Sequence, residues 1–146
     1  MDVESTDGVS SWMIDELAAE VVRALQDGSA GDARMIDGRV LAVKASPAKS
    51  NSQKVVMGMA ALPAGYATHQ HSHEAEEVAI VVSGSGIIEI GQSAHRVSKG
   101  SVLITPSNAP HVTRSDPGDE ALVILWLYAP PGSESRWLQA PVAATS

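Results

Sequence analysis

Two periodicities divide the chain. Between residue 10 and about Gln26, apolar residues return at helical spacing: Leu17, Val21, Val22 and Leu25 form a stripe, while Asp15, Glu16, Glu20 and Arg23 fall mostly elsewhere on the wheel. Ser10 or Ser11 is placed to cap this helix, and Asp27-Gly28 to end it. From about Arg34 the period becomes two. The alternation predicts strands near 34–37, 39–45, 53–62, 67–73, 77–82, 86–90, 94–97, 101–105, 110–115 and 121–128. Gly38, Ser46-Pro47, Pro63-Ala64-Gly65, Ser83-Gly84, Gly91-Gln92, Lys99-Gly100, Ser107-Asn108 and Asp116-Pro117-Gly118 punctuate them. Many short strands at regular spacing predict an all-β fold, a barrel or sandwich carrying one short N-terminal helix. The expected division is a tail and helix over 1–30, a barrel over 31–130, and a C-terminal tail over 131–146 that lacks periodicity. The first ten residues are polar and expected to fray.

Alternation also sorts faces. Leu122, Ile124, Trp126 and Tyr128 share one face of the last strand, and Val123, Leu125 and Leu127 the other. A strand apolar on both faces must be buried on both. A homodimer is therefore expected to cover one of them, and the N-terminal stripe to pack on the barrel or on a second copy. Met57 and Met59 share a face of their strand and, with Trp126, are candidate pocket residues.

Composition narrows the chemistry. The chain has 146 residues, 44% of them hydrophobic, with no Phe. That is one domain with an aliphatic core. The formal net charge of −7 argues against gripping nucleic acid or an anionic membrane. With no cysteine, any metal must be held by nitrogen and oxygen. The N-terminus is acidic and lacks the basic start and apolar run of a secretory signal, so the expected location is the cytoplasm.

The candidate chemistry lies in the run Gly65-Tyr-Ala-Thr-His69-Gln-His71-Ser-His73-Glu-Ala-Glu-Glu77. On a strand His71 and His73 point the same way, and Glu77 keeps that parity if pairing resumes. His111 follows the strand after Gly100. Imidazole plus carboxylate suits Fe, Mn, Ni, Co, Zn or Cu. Three histidines within five residues, facing one interior, need partners that a metal supplies at once.

These residues carry a resemblance. The stretch 65–84 is similar to the first cupin motif: Gly65, five residues, His71-x-His73, three residues, Glu77, six residues, Gly84. The stretch 100–111 is similar to the second, through Gly100, Pro106 and His111. Asn108 stands where the family usually has Gly, and Asn is the next best residue for a left-handed backbone. Ser115 stands where the pattern usually has Asn. The resemblance implies a cupin-type double-stranded β-helix, or jelly-roll, barrel holding one divalent ion per chain through His71, His73, Glu77 and His111. Iron(II) is the expected ion, with Zn, Ni, Mn or Co as alternatives. Two open positions would remain for substrate, water or dioxygen.

The implied function is a metal-dependent enzyme for a small organic substrate that ligates through oxygen, foremost an iron(II) dioxygenase or oxygenase. A non-redox isomerase, lyase or polyketide-type cyclase is the alternative, and a non-catalytic small-molecule-binding barrel a further one. Glu77 and His69 are candidate proton carriers, and Tyr66 a hydrogen-bond donor at the strand entrance. His69 stays open between a proton-transfer group near the metal, a mouth residue and a solvated strand-end histidine. The pocket is expected to be largely apolar, with few charges besides the metal site. His95 and Arg96 read as surface residues, and Ser46 to Lys54 as a lid or a hairpin connection.

Overall fold

The computed structural model describes residues 8–138 and the backbone of residues 3–4. The expected fraying of the other early residues, and the tail beyond Leu138, lie outside the described residues. In chain order the elements are β1 (Val3–Glu4), β2 (Ser10–Ser11), α1 (Ile14–Asp27), β3 (Ser29–Ala30), β4 (Ala33–Ile36), β5 (Arg39–Ala45) and β6 (Val56–Leu62). There follow β7 (Glu76–Ser83), β8 (Ser85–Ile90), β9 (Ser93–Ser98), β10 (Val102–Thr105), β11 (His111–Ser115), β12 (Leu122–Ala129) and α2 (Ser135–Leu138). A seven-stranded antiparallel sheet runs β10-β7-β12-β6-β5-β4-β3, and a three-stranded sheet runs β11-β8-β9. The architecture is mostly β with one long N-terminal helix, as the two periodicities predict.

Two cores follow from the alternation of β12. Leu122, Ile124, Trp126 and Tyr128 face the barrel interior with Leu41, Val43 and Ile88. Val123 and Leu125 face outward into a second core beneath α1, with Leu17, Val21 and Ala24 of the helix. The helix thus covers the outer apolar face at Val123 and Leu125, while Leu127 is half-buried and outside that core. Val22, which the apolar stripe included, is 37% exposed, and Ala24 takes its place on the buried seam. Ser10 and Ser11 do not cap α1: they pair with Val3–Glu4, and the residue before the helix is Met13, which makes no side-chain cap. The C-terminus ends as expected, with Gly28 left-handed at φ 89° and its N–H donating to the Ala24 carbonyl. No described helix is long and apolar enough to cross a membrane.

Turn chemistry sets the registers that place the site. Asp37 (φ 53°) and Gly38 (φ 86°) are both left-handed, the backbone a tight two-residue hairpin requires, and they join β4 to β5. Asn108, in the position where a Gly was expected, is left-handed at φ 63°. Arg96 grips Asp116 through two hydrogen bonds of 2.7 and 3.1 Å, and the Ser85 hydroxyl adds a third at 2.7 Å. The Arg96 guanidinium, then the Ser85 hydroxyl, pull the Asp116 carboxyl down to about 2. The Asp116 carbonyl in turn accepts from the Gly65 N–H at 2.9 Å, fixing where the histidine segment begins.

Gly58 on β6 lies opposite Trp126 on β12. A Cβ there would sit 2.2 Å from the indole and 2.3 Å from the Ala42 carbonyl oxygen. The backbone on one side and a packed ring on the other leave little room to yield. Gly58→Ala is expected to cost about 1–3 kcal/mol, as overpacking does. A urea melt followed by Trp fluorescence checks this, and an unchanged midpoint would show that the ring moves aside freely.

Candidate metal centre

The histidine segment is less regular than its alternation suggests. Residues 67–73 were expected as a strand; they make only two isolated bridges to β11, Ala67 with Arg114 and His71 with His111. The sum of paired positions is 181 at the first bridge and 182 at the second, so one residue is looped out between them. Backbone hydrogen bonds mark both sides of the slip: Thr68 N–H to the Thr113 carbonyl at 2.9 Å, and His111 N–H to the His71 carbonyl at 2.9 Å. Such a bulge breaks the period of two and re-aims side chains. His69 falls inside it and is exposed, whereas His71 is half-buried and His73 is buried.

Beyond the bulge three imidazoles converge. One ring nitrogen from each of His71, His73 and His111 lies within 4.8 Å of the others. The ring centroids are 4.2 Å apart for His71 and His111, and 4.9 Å for His73 and His111. Each ring is oriented by its own neighbourhood. Nδ1–H of His71 donates to the His69 carbonyl at 2.8 Å, that of His73 to the Ala75 carbonyl at 2.8 Å, and that of His111 to the Ala109 carbonyl at 2.9 Å. A carbonyl can only accept, so Nδ1 carries the proton in each ring; Nε2 of a neutral His71 or His111 then carries the lone pair, and His73 Nε2 offers one once an ion replaces its contact with Glu77. This arrangement raises ligand basicity and fixes ring direction in metal sites. The donor set therefore fits a divalent ion held by imidazole nitrogen.

Glu77 meets the cluster from one side. It is the second residue of β7, paired with Tyr128 and Thr105, and its Oε1 lies 3.1 Å from His73 Nε2. Behind His73 stand Tyr128, with ring centroids 5.8 Å apart, and Trp126, stacked on Tyr128 at 5.1 Å.

A cavity of about 60 Å³ opens beside the cluster, lined by His71, His111 and Glu77 together with Arg39, Trp126 and Trp137. Thr68, Thr113 and aliphatic side chains from β5, β6 and β12 complete its wall.

Two of the three expected pocket residues are elsewhere, while Trp126 lines the cavity. Met57 and Met59 point outward into the core under α1, with Met59 fully buried there. The inward positions of β6 are Val56, Gly58, Ala60 and Leu62, because the strand pairs Gly58 with the inward-facing Trp126. Tyr66 is not at the cavity: its hydroxyl donates to the Asp37 carbonyl, tying the histidine segment to the β4–β5 turn. His69 brings its carbonyl, not its imidazole, to the site. Four contributors were not read from the sequence. Arg39 shares the parity of inward-facing Leu41 and Val43 on β5, a signal that was available. Thr68 and Thr113 flank the bulge. Trp137 comes from α2, a single turn without periodicity, and packs on Trp126 at 5.4 Å.

Residues 58–128, from the middle of β6 to the end of β12, match the family model described as a cupin domain. An uncharacterised protein of Streptomyces coelicolor is 35% identical over 77 residues, covering 53% of this chain and 71% of the relative. The chain belongs to the cupin family. Among solved structures, this cupin is similar to a salicylate 1,2-dioxygenase from Pseudaminobacter salicylatoxidans, with a TM-score of 0.62 and 15% identity over 80% of this chain and 32% of that one. It is also similar to the DMSP lyase DddQ from Ruegeria pomeroyi, with a TM-score of 0.58 and 23% identity over 65% of this chain and 48% of that one. At those identities the likeness is one of fold.

Proposed function

We propose that this cupin is a metal-dependent enzyme whose small organic substrate ligates the ion through oxygen, with iron(II) serving a dioxygenase or oxygenase reaction. The observation that carries the reading is the convergence of three carbonyl-oriented imidazoles, two of them (His71 and His111) on the wall of a cavity with aromatic sides. A small barrel whose task was only to enclose a ligand would not need three rings aimed at one point. His71, His73 and His111 would hold the ion, with Glu77 beside His73 as fourth ligand. A bound divalent ion would supply a Lewis-acid or redox centre for a substrate oxygen. Trp126 and Trp137 would hold a flat apolar body and keep water from it. Glu77, partly exposed to the cavity, would take or return a proton at the substrate carbon or oxygen nearest Oε1. The likeness in fold to a salicylate 1,2-dioxygenase agrees with the redox form of this proposal.

The position of Glu77 favours a second reading. Its carboxylate rests on His73 rather than within the three-nitrogen cluster, which leaves it available as a base in an isomerase, lyase or cyclase using Zn, Ni or Mn. Metal analysis of the purified protein, then anaerobic reconstitution with iron(II), separates the two. Oxygen consumption with a diketone, catechol or hydroxy acid is the expected result. Full turnover by the zinc-loaded protein without oxygen would decide for the second reading. Absence of any bound divalent metal after reconstitution would defeat both.

A further inference from the structure

Arg39 opens β5 immediately after the Asp37-Gly38 turn. Its register places it inward: neighbouring Val40 pairs with Ala61, and Arg39 follows the parity of Leu41 and Val43, which are core residues of the barrel interior. A guanidinium on the inner face of a strand is costly unless something answers its charge. Among the described residues Arg39 makes no ion pair. Its one hydrogen bond, from Nη1 to the Ile36 carbonyl, is long at 3.4 Å. The arginines and lysines that do form ion pairs lie away from the cavity: Lys44 on Glu20 and Asp32, Lys49 on Asp32, Arg96 on Asp116 and Arg114 on Glu89.

Arg39 is half-buried and lines the same cavity as His71, His111 and Glu77. The wall carries a second unspent donor. Trp126 is 4% exposed, and its indole N–H is buried without a hydrogen-bond partner among the described residues. Buried donors left in this state call for an acceptor. The hydroxyl oxygen of Thr68, another lining residue, already accepts from the Thr113 N–H at 3.0 Å, which leaves its own O–H to donate. A cation and a hydroxyl lining one cavity, with the Trp126 indole in the same wall, make a site for an oxyanion, and the planar fork of a guanidinium matches a carboxylate.

We infer that the substrate of this cupin carries a carboxylate, and that Arg39 is the residue that selects it. The substrate class is then a small organic acid with a planar or apolar body, ligating the ion through one oxygen and held through its carboxylate by Arg39. The inference rests on reading the cavity as the substrate chamber. Arg39 is then one of the few charges the cavity carries besides the metal site. That role also fits an acidic protein: with a net charge of −7, an organic anion would be repelled at long range and must be held by a local cation.

The test uses the full chain loaded with zinc and two probe pairs, mandelate with mandelamide and 3,4-dihydroxybenzoate with 3,4-dihydroxybenzamide. The first puts the carboxylate beside the chelating oxygen, the second a ring away from it. Binding is read by titration calorimetry for wild type, Arg39→Gln and Arg39→Lys, with zinc content and thermal midpoint measured for each. In at least one pair, wild type should prefer the acid to its amide by about tenfold or more, as a hydrogen-bonded charge pair provides. Arg39→Gln should remove that preference while keeping zinc and the amide's affinity, and Arg39→Lys should restore part of it. Equal acid binding by wild type and Arg39→Gln in both pairs would overturn the inference and leave Arg39 a structural tie to the β4–β5 turn. Repeating the titrations without zinc separates the two readings. Arg39-dependent acid binding that ignores zinc would keep the carboxylate site and sink oxygen ligation of the metal. No binding of any probe in either state would overturn both.

Discussion

Alanine in place of His111 is expected to strip the protein of its metal, lowering affinity for zinc about a hundredfold or more. Replacing a group that merely orients a ligand costs about 10–100-fold in known metal sites, so losing a ligand itself should cost at least as much. The geometry makes the three histidines equivalent in this respect. His71 and His111 face each other across an isolated bridge, and His73 closes the third side, each ring aimed by a carbonyl two residues away. His71→Ala and His73→Ala should therefore behave like His111→Ala. His69→Ala should not, because the carbonyl that orients His71 belongs to the main chain and survives the substitution. Glu77→Gln should fall between these extremes, since its carboxylate reaches the cluster only through His73. The measurement is metal content after dialysis against a weak chelator, with circular dichroism to confirm the fold. Wild-type zinc in His111→Ala, or lost zinc in His69→Ala, would refute the assignment of the site.

The same residues show how far a sequence can be read here. Strands β4 to β12 emerge from a period of two because most carry one face to the barrel interior and the other to solvent or to α1. The register of the motif picked His71, His73 and His111 out of five histidines, and the structure gathers those three. Alternation alone could not place His69, because the looped-out residue between the two bridges breaks the parity that seemed to align it with His71 and His73. β6 failed in another way. Its sequence Val-Met-Gly-Met-Ala-Ala-Leu is apolar on both faces, so the pattern identifies a buried strand without saying which side is the interior. The pairing of Gly58 with Trp126 decides it, and Met57 and Met59 go to the helix side. The carbonyls of His69, Ala75 and Ala109 that orient the rings leave no trace in residue type. Arg39 was legible through its parity with Leu41 and Val43; a charged residue at a strand end simply invites the surface reading.

Lys44→Ala is expected to destabilise the fold by about 3 kcal/mol at neutral pH, more than any surface ion pair would. Lys44 sits on the outward face of β5, beneath α1, with its side chain 5% exposed. Its ammonium is held by Glu20 of α1 at 2.7 Å and by Asp32 of the β3–β4 turn at 2.9 Å, and Lys49 adds a contact to Asp32 at 2.8 Å. Removing the central cation leaves two carboxylates facing each other at a buried seam. Breaking such a pair from one side costs about 3–5 kcal/mol; because Asp32 is 36% exposed and partly screened, the lower end applies. Lys44→Met keeps the aliphatic stem and loses only the charge, so the gap between Met and Ala measures packing.

The pH dependence of this latch has a definite sign. Burial alone would lower the Lys44 pKa, but hydrogen bonds to Glu20 and Asp32 outweigh it and raise the value above 10.5. Its contribution is complete below 10.5 and disappears as pH rises through the raised folded value. For Asp32 burial alone would raise the pKa, but Lys49 and Lys44 outweigh it and the net shift is below 3.8. Its contribution is complete above 3.8 and disappears as pH falls through the lowered folded value. The penalty for Lys44→Ala should therefore be flat across the neutral range and shrink at both ends. Denaturant melts at several pH values read the penalty, and amide exchange in α1 shows where it acts. A variant within 0.5 kcal/mol of wild type at pH 7, or a penalty unchanged when Asp32 is protonated, would show that the apolar seam of Leu17, Val21 and Ala24 holds the helix without the latch.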